Sequence, residues 1–163
     1  MANYGMQTGR QSYFGLGPRI FRPATILAVI GGVAARLEPD IFQMGPMFLQ
    51  PVRMLLGWML CLAGAGFCIW GVTRMFSAVK SGRLDTGGPF AMVRHPIYSG
   101  WIVFLFPGIA MVTGAWLILA ASVSAWLAFR KWAPIEEQAL LDHFGPPYRE
   151  YMDRTPALFP FPK

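Results

Sequence analysis

Charged residues interrupt this chain at very unequal intervals, and the uncharged stretches between them have the lengths of membrane crossings. Between Arg53 and Arg74 lie 20 residues without charge, "MLLGWMLCLAGAGFCIWGVT", about the number an α-helix needs to cross a hydrocarbon core. Between His95 and Arg130 lie 34. At about 1.5 Å per residue, one helix of that length would reach roughly 50 Å, too far for a single crossing. The stretch is therefore expected to fold back near "VTGAW", Val112 to Trp116, with Pro107 and Gly108 kinking the first arm. A further span is expected over Ile20 to Leu37, where 13 uncharged residues separate Arg22 from Arg36 and the flanking arginines snorkel to the interface. "DIFQMGPMFLQPV", Asp40 to Val52, is broken by two prolines and reads as an interfacial connection. The predicted architecture is all-α: one integral membrane helical bundle of about four transmembrane helices, including a C-terminal hairpin, followed by a cytoplasmic helix. Residues 1–19 are expected to be a cytoplasmic N-terminal segment without the layout of a secretory signal peptide. Residues 20–129 are expected to form the membrane helices and 130–163 a cytoplasmic surface segment.

Composition agrees with the pattern. The chain is 55% hydrophobic and 13% charged, whereas soluble domains carry about 25% charged residues. The net charge of +6 does not point to a nucleic-acid partner, because the basic residues stand singly or in pairs beside apolar runs, as membrane-flanking charge does. With four crossings, one side holds Arg10, Arg19, Arg22, Arg74, Lys80, Arg83, Arg94, Arg130, Lys131, Arg149, Arg154 and Lys163, and the other holds Arg36 and Arg53. Both termini are then expected to face the cytoplasm. Cys61 and Cys68 lie seven residues apart in an apolar run and read as packing thiols, without metal-site spacing. Gly57, Gly64 and Gly71 also recur every seven residues and read as a small-residue stripe for close helix packing. A glycine stripe that admits a ligand would look the same. Trp101, Trp116 and Trp126 read as interfacial or packing aromatics.

Polar chemistry collects in two places. The first is "GGPFAMVRHPIYSG", Gly87 to Gly100, immediately before the hairpin. The second is "RKWAPIEEQALLDHFGPPYREYMDRTPALFPFPK", Arg130 to Lys163, where Glu136, Glu137, Asp142 and Asp153 accompany His143, Tyr148, Arg149, Tyr151 and Arg154. Pro134 is expected to start a helix with the acidic pair in its first turn, and "FGPPY" to end it. Either cluster alone reads as a membrane-surface helix start or a capping helix. Together they read as a site, because a folded-back hairpin returns the chain to the side it left. Arg94, His95 and Tyr98 would then face Glu136 and Glu137 in one pocket, suited to a zwitterionic ligand.

"LDTGGPFAMVRHPIYSG", Leu84 to Gly100, followed after a two-helix hairpin by "PIEEQALLDHFGPPYREYMDRTPALFP", resembles the isoprenylcysteine carboxyl methyltransferase and phospholipid methyltransferase superfamily, with its RHPxYxG motif and its EE pair followed by FGxxYxxYxxxxP. The resemblance covers Leu84 to Pro160. It implies an S-adenosylmethionine-dependent methyltransferase whose cofactor pocket is built from membrane helices and capped by residues 130–163, and the chain has no strand-GxGxxG-helix pattern. On that resemblance the cofactor-binding residues are Arg94, His95, Pro96, Tyr98, Gly100, Glu136, Glu137 and Tyr148. Arg94 and His95 would hold the cofactor carboxylate, Glu136 and Glu137 its ammonium or ribose, and Tyr98 or Tyr148 its adenine or sulfonium side. The acceptor would be lipophilic or amphiphilic: the carboxylate of a prenylated cysteine, a phospholipid amine, or a small acid or thiol. A carboxylate acceptor needs only a cation such as Arg149 or Arg154, whereas an amine needs a base, His95 or Glu137. Ala157 stands where members often carry a basic residue. Two alternatives stay open, an NADPH-dependent membrane reductase of the sterol-reductase type and a noncatalytic membrane subunit.

Overall fold

The computed structural model describes residues 16–159. Residues 1–15 with Arg10, most of the expected N-terminal segment, and residues 160–163 with Lys163 lie outside the described residues. The described chain is helical, with one isolated antiparallel bridge, Gln43 to Ala115. Helix α1 is Gly17–Leu37 and the short α2 is Pro39–Phe42. Helix α3 runs Gln50–Ser81, and a single turn, α4, covers Pro89–Met92. Helix α5 spans Pro96–Thr113, α6 spans Leu119–Phe144 and α7 spans Pro146–Arg154.

Among the described residues three helices are long and apolar enough to cross a membrane: α1, α3 and α5. Their outward faces carry exposed Ile26, Val29 and Val33 on α1 and Leu55, Met59, Leu62 and Ile69 on α3, an apolar surface far larger than water tolerates on a monomer. The fourth crossing expected from the hairpin is not among the three. The return arm, α6, is free of charge only from Leu119 to Phe129 and then continues past Arg130 and Lys131 as the same helix. Pro134 therefore does not start a helix; it lies inside α6, and Glu136 and Glu137 sit in the body of that helix. Pro134 is exposed, so the Arg130 carbonyl that loses its partner faces outward, where the break is cheapest.

The hairpin turn falls where the sequence places it. Gly114, at φ 77°, caps α5 in the left-handed region, which an L side chain enters at a cost. The Asp40 to Val52 segment closes over this turn: Met44 N–H donates to Gly114 O (2.6 Å), Trp116 Nε1 donates to Ile41 O (3.0 Å) and Arg53 Nη1 donates to Met44 O (2.5 Å). Pro107 is accommodated by a π-helical stretch, Gly100–Leu105, in which Phe106 N–H reaches back to Trp101 O. The wider turns absorb the hydrogen bond that Pro107 cannot donate.

Two antiparallel seams hold the bundle. In the first, α3 lies against α5: a Cβ on Gly57 would stand 2.8 Å from Val112 N and 2.9 Å from Gly108 O, and one on Gly64 would stand 3.0 Å from Gly100 O. Gly71 faces Pro96, and the Cys61 and Cys68 thiols fill the space over Gly108 and Gly100. This is the packing stripe read from the seven-residue repeat. In the second seam, Ile20 and Ala24 of α1 pack with Ala121, Ala125, Phe129 and Ala133 of α6.

Candidate active site

The turn "VRHPIY" is fixed by the end of the chain. Arg94 N–H donates to Pro156 O (2.9 Å), His95 N–H to Ala157 O (3.1 Å) and Ser99 Oγ to Leu158 O (2.5 Å). Ala157 thus contributes its carbonyl, which any residue there would supply. Tyr151 on α7 donates its hydroxyl to Phe90 O (2.6 Å), and Arg94 Nη1 donates to Met152 O (3.1 Å). With the turn held from below, its side chains project toward α6.

There they meet the acidic pair. Arg94 Nη2 lies 2.9 Å from Glu137 Oε1, with both side chains largely buried. His95, only 5% exposed, places Nε2 at 3.1 Å from the same oxygen, a hydrogen bond in which the ring N–H donates to the carboxylate. Its Nδ1 is 3.9 Å from Glu136 Oε1. Tyr98 donates its hydroxyl to Glu136 Oε2 at 3.2 Å. Phe129 backs the cluster, 5.1 Å edge-on to His95 and 5.5 Å from Tyr98. The two carboxylates are therefore inequivalent. Glu137 is neutralised by Arg94, whereas Glu136, among the described residues, accepts the Tyr98 hydroxyl and has the His95 imidazole at 3.9 Å.

Electrostatics follow that inequality. Burial lifts the Glu136 carboxyl above its usual range; His95 and the Tyr98 hydrogen bond pull it partway back, and the charge on Glu137 adds to the rise. Burial also raises the phenols of Tyr148 and Tyr151, so both remain protonated donors. Because the folded state holds the Glu136 proton more tightly than the unfolded chain, its contribution to stability is full below the ordinary carboxyl value of 4.5. It is lost as pH rises through the raised folded value. Thermal unfolding in detergent, followed from about pH 4 to about pH 7, should contain a declining component that Glu136→Gln removes; superimposable profiles would contradict the assignment.

Two cavities meet at this cluster. One, of about 180 Å³, lies between the end of α3, the following loop, α6 and α7, with Leu84, Phe90, Leu140, Phe144 and Tyr148 on its walls. The other, of about 450 Å³, lies between the starts of α1 and α5 and the α3 flank, lined by Phe21, Val72, Phe76, Pro96, Ile97 and Tyr98. Met75, Phe90, Arg94, His95 and Glu136 line both. The loop wall of the smaller cavity is tied to α3 by Arg74 Nη2 and Asp85 Oδ1 at 2.6 Å, and Asp85 Oδ1 also accepts from Gly87 N–H (3.0 Å).

Of the residues singled out in the sequence, Arg94, His95, Tyr98, Glu136, Glu137 and Tyr148 come together here. Pro96 lines the larger cavity and packs over Gly71. Gly100 lies in the α3–α5 crossing, against Gly64 and Cys68. Arg149 and Arg154 are exposed on α7, with Arg154 Nε donating to its own helix at Glu150 O. The sequence reading did not single out Met75, Asp85 or Phe90. Asp85 and Phe90 stand within the "LDTGGPF" segment, which was the available signal; Met75 is one apolar residue in a long apolar helix and carried none.

The described geometry occupies a stretch with known relatives. The profile of the isoprenylcysteine carboxyl methyltransferase (ICMT) family matches residues 46–142. Protein-S-isoprenylcysteine O-methyltransferase B of Arabidopsis thaliana is 34% identical over 79 residues, 48% of this chain and 40% of that protein. Protein-S-isoprenylcysteine O-methyltransferase of Homo sapiens is 34% identical over 80 residues, 49% of this chain and 28% of the human protein. Methanethiol S-methyltransferase 1 of Bradyrhizobium diazoefficiens is 39% identical over 79 residues, 48% of this chain and 27% of that protein. The matched stretch thus spans well under half the length of each of these relatives. The profile match, residues 46–142, contains α3, the Arg94–His95 turn, the hairpin and the returning Glu136–Glu137 pair, and with three apolar helices facing outward the chain is an integral membrane protein that belongs to the isoprenylcysteine carboxyl methyltransferase family.

Proposed function

We propose that this chain is an S-adenosylmethionine-dependent methyltransferase acting on a lipophilic or amphiphilic acceptor at the cytoplasmic face of its membrane, with both termini on that side. The observation that carries the reading is the polar wall, Arg94, His95 and Glu136, shared by two cavities that are otherwise largely apolar. The residues present suit a zwitterionic cofactor. Among the described residues Arg94 keeps a buried Nε–H without a partner, capacity for a ligand carboxylate. Glu136 offers a carboxylate that no arginine or lysine pairs among the described residues, suited to an ammonium or a ribose hydroxyl. Leu140, Phe144 and Tyr148 offer apolar and aromatic surface for an adenine.

S-adenosylmethionine, when bound, supplies a methyl group already activated by a positively charged sulfur. What remains for the protein is alignment of the acceptor and exclusion of water. The larger cavity, walled by Phe21, Val72, Phe76 and Ile97, suits an apolar acceptor entering from the bilayer side. An amine or thiol acceptor must release a proton, and Glu136, with its raised carboxyl, is placed to accept it. A carboxylate acceptor needs a cation instead, and Arg149 and Arg154 stand exposed on α7. The wall therefore favours an acceptor that arrives with a proton.

Thermal unfolding of the detergent-solubilised protein distinguishes the readings. S-adenosylhomocysteine at about a hundredfold over its Kd is expected to stabilise the fold by about 2.7 kcal/mol, with no response to NADPH. Stabilisation by NADPH alone would favour a reductase, and a response to neither would favour a noncatalytic subunit.

A further inference from the structure

A second charged feature lies outside the cavities, at the end of the α1–α6 seam nearest the site. Arg19 Cζ of α1 and Lys131 Nζ of α6 both approach the ring of Trp132, at 5.1 Å and 5.3 Å from its centroid. Two cations drawn to one indole repel each other unless an anion lies between them. Among the described residues no carboxylate pairs with either; the ion pairs there engage Arg74, Arg94 and His95. Arg19 and Lys131 are themselves exposed.

The surroundings repeat the theme. Arg22 follows Arg19 by one turn of α1, and Arg130 Cζ lies 5.2 Å from the Trp126 ring. The helices are antiparallel, with Gly31 beside Ile118 and Arg19 beside Trp132. That register puts Arg19, Arg22, Arg130 and Lys131 within about one 5.4 Å turn along the axis. Immediately beyond them the outward positions become apolar: Ile26 and Val29 on α1, Val123 and Leu127 on α6, all more than half exposed. A cationic tier with indoles, directly above a lipid-facing apolar surface, lies at headgroup depth.

We propose that this seam is a binding site for an anionic phospholipid, with Arg19 and Lys131 gripping the phosphodiester, Trp132 lying against the glycerol region and the acyl chains running down the α1–α6 face. The site is separate from the polar wall around Glu136 and stands whether or not that wall methylates anything. Its chemistry is that of a fixed lipid rather than a soluble anion, because the apolar track continues from the cationic pair.

The full chain in neutral detergent, titrated with short-chain phosphatidylglycerol and examined by native mass spectrometry, tests this. A one-to-one adduct is expected, with phosphatidylcholine bound at least tenfold more weakly. Lys131→Gln, at an exposed position, should weaken phosphatidylglycerol roughly fivefold, and the double variant Arg19→Gln/Lys131→Gln roughly 25-fold. Lys80→Gln, which removes a cation elsewhere at the same end, should leave it unchanged. Inorganic phosphate should neither form the adduct nor compete. Equal binding by the parent and Lys131→Gln, equal binding of the two lipids, or competition by phosphate would each overturn the proposal. Should the double variant fail to fold, the Lys131→Gln comparison decides.

Discussion

Glu136→Gln is expected to leave the protein at least as stable as the parent near neutral pH while lowering methyl transfer about a hundredfold or more. The two halves of this result have one cause. A carboxylate whose proton affinity is raised by burial costs the fold free energy whenever it is charged, and a neutral amide of the same shape removes that cost. The same amide can neither neutralise a bound ammonium nor accept a proton. Glu137→Gln should behave in the opposite order. Its carboxylate pairs with Arg94 at 2.9 Å and with His95 at 3.1 Å, so neutralising it leaves a buried guanidinium without its counter-charge, a loss of about 3 kcal/mol. Thermal unfolding, calorimetric binding of S-adenosylhomocysteine and transfer of labelled methyl into a total lipid extract separate the two variants. Identical stability losses in both would refute the division of roles, with Glu136 facing the ligand and Glu137 holding Arg94 and His95.

The second large effect is expected far from that chemistry. Gly57→Leu should abolish the folded protein, and Gly57→Ala should cost about 1–3 kcal/mol through overpacking. A Cβ at Gly57 would meet Val112 Cγ2 at 2.8 Å and two backbone atoms, Val112 N at 2.8 Å and Gly108 O at 2.9 Å, and backbone cannot swing aside as a flexible side chain can. Gly66→Ala, nine residues along the same helix, meets nothing within 4 Å. It should be neutral or stabilising by up to about 1 kcal/mol, the helix-propensity difference. Recovery of folded protein by size exclusion and its unfolding temperature provide the measurement. A Gly57→Ala protein as stable as Gly66→Ala would show that the α3–α5 seam can open without loss.

How much of this could be read in advance differs from one feature to the next. The α3 span, the fold-back at Val112 to Trp116 and the heptad glycine seam follow from the spacing of charges and glycines, because the bilayer and helix geometry impose those lengths directly. That Arg94, His95 and Tyr98 share one end of the bundle with Glu136 and Glu137 follows from the hairpin. The status of Pro134 could not be read that way. A proline before an acidic pair has the form of a helix start, yet α6 passes straight through it, since its inner face is anchored by buried Ala133 on one side and by the carboxylate contacts on the other.

Sequence by itself therefore determined an all-α membrane protein, its sharp turns and the inventory of polar groups that one end of the bundle would share. Only the tertiary structure decided that Glu137 belongs to Arg94 while Glu136 faces both cavities, that Gly100 serves the helix crossing, and that Arg149 and Arg154 look outward. Linear spacing specifies which residues share an end of a helix. The rotation of α6 against α5, set by packing around Phe129 and the close glycine contacts, specifies which of two adjacent carboxylates meets the guanidinium.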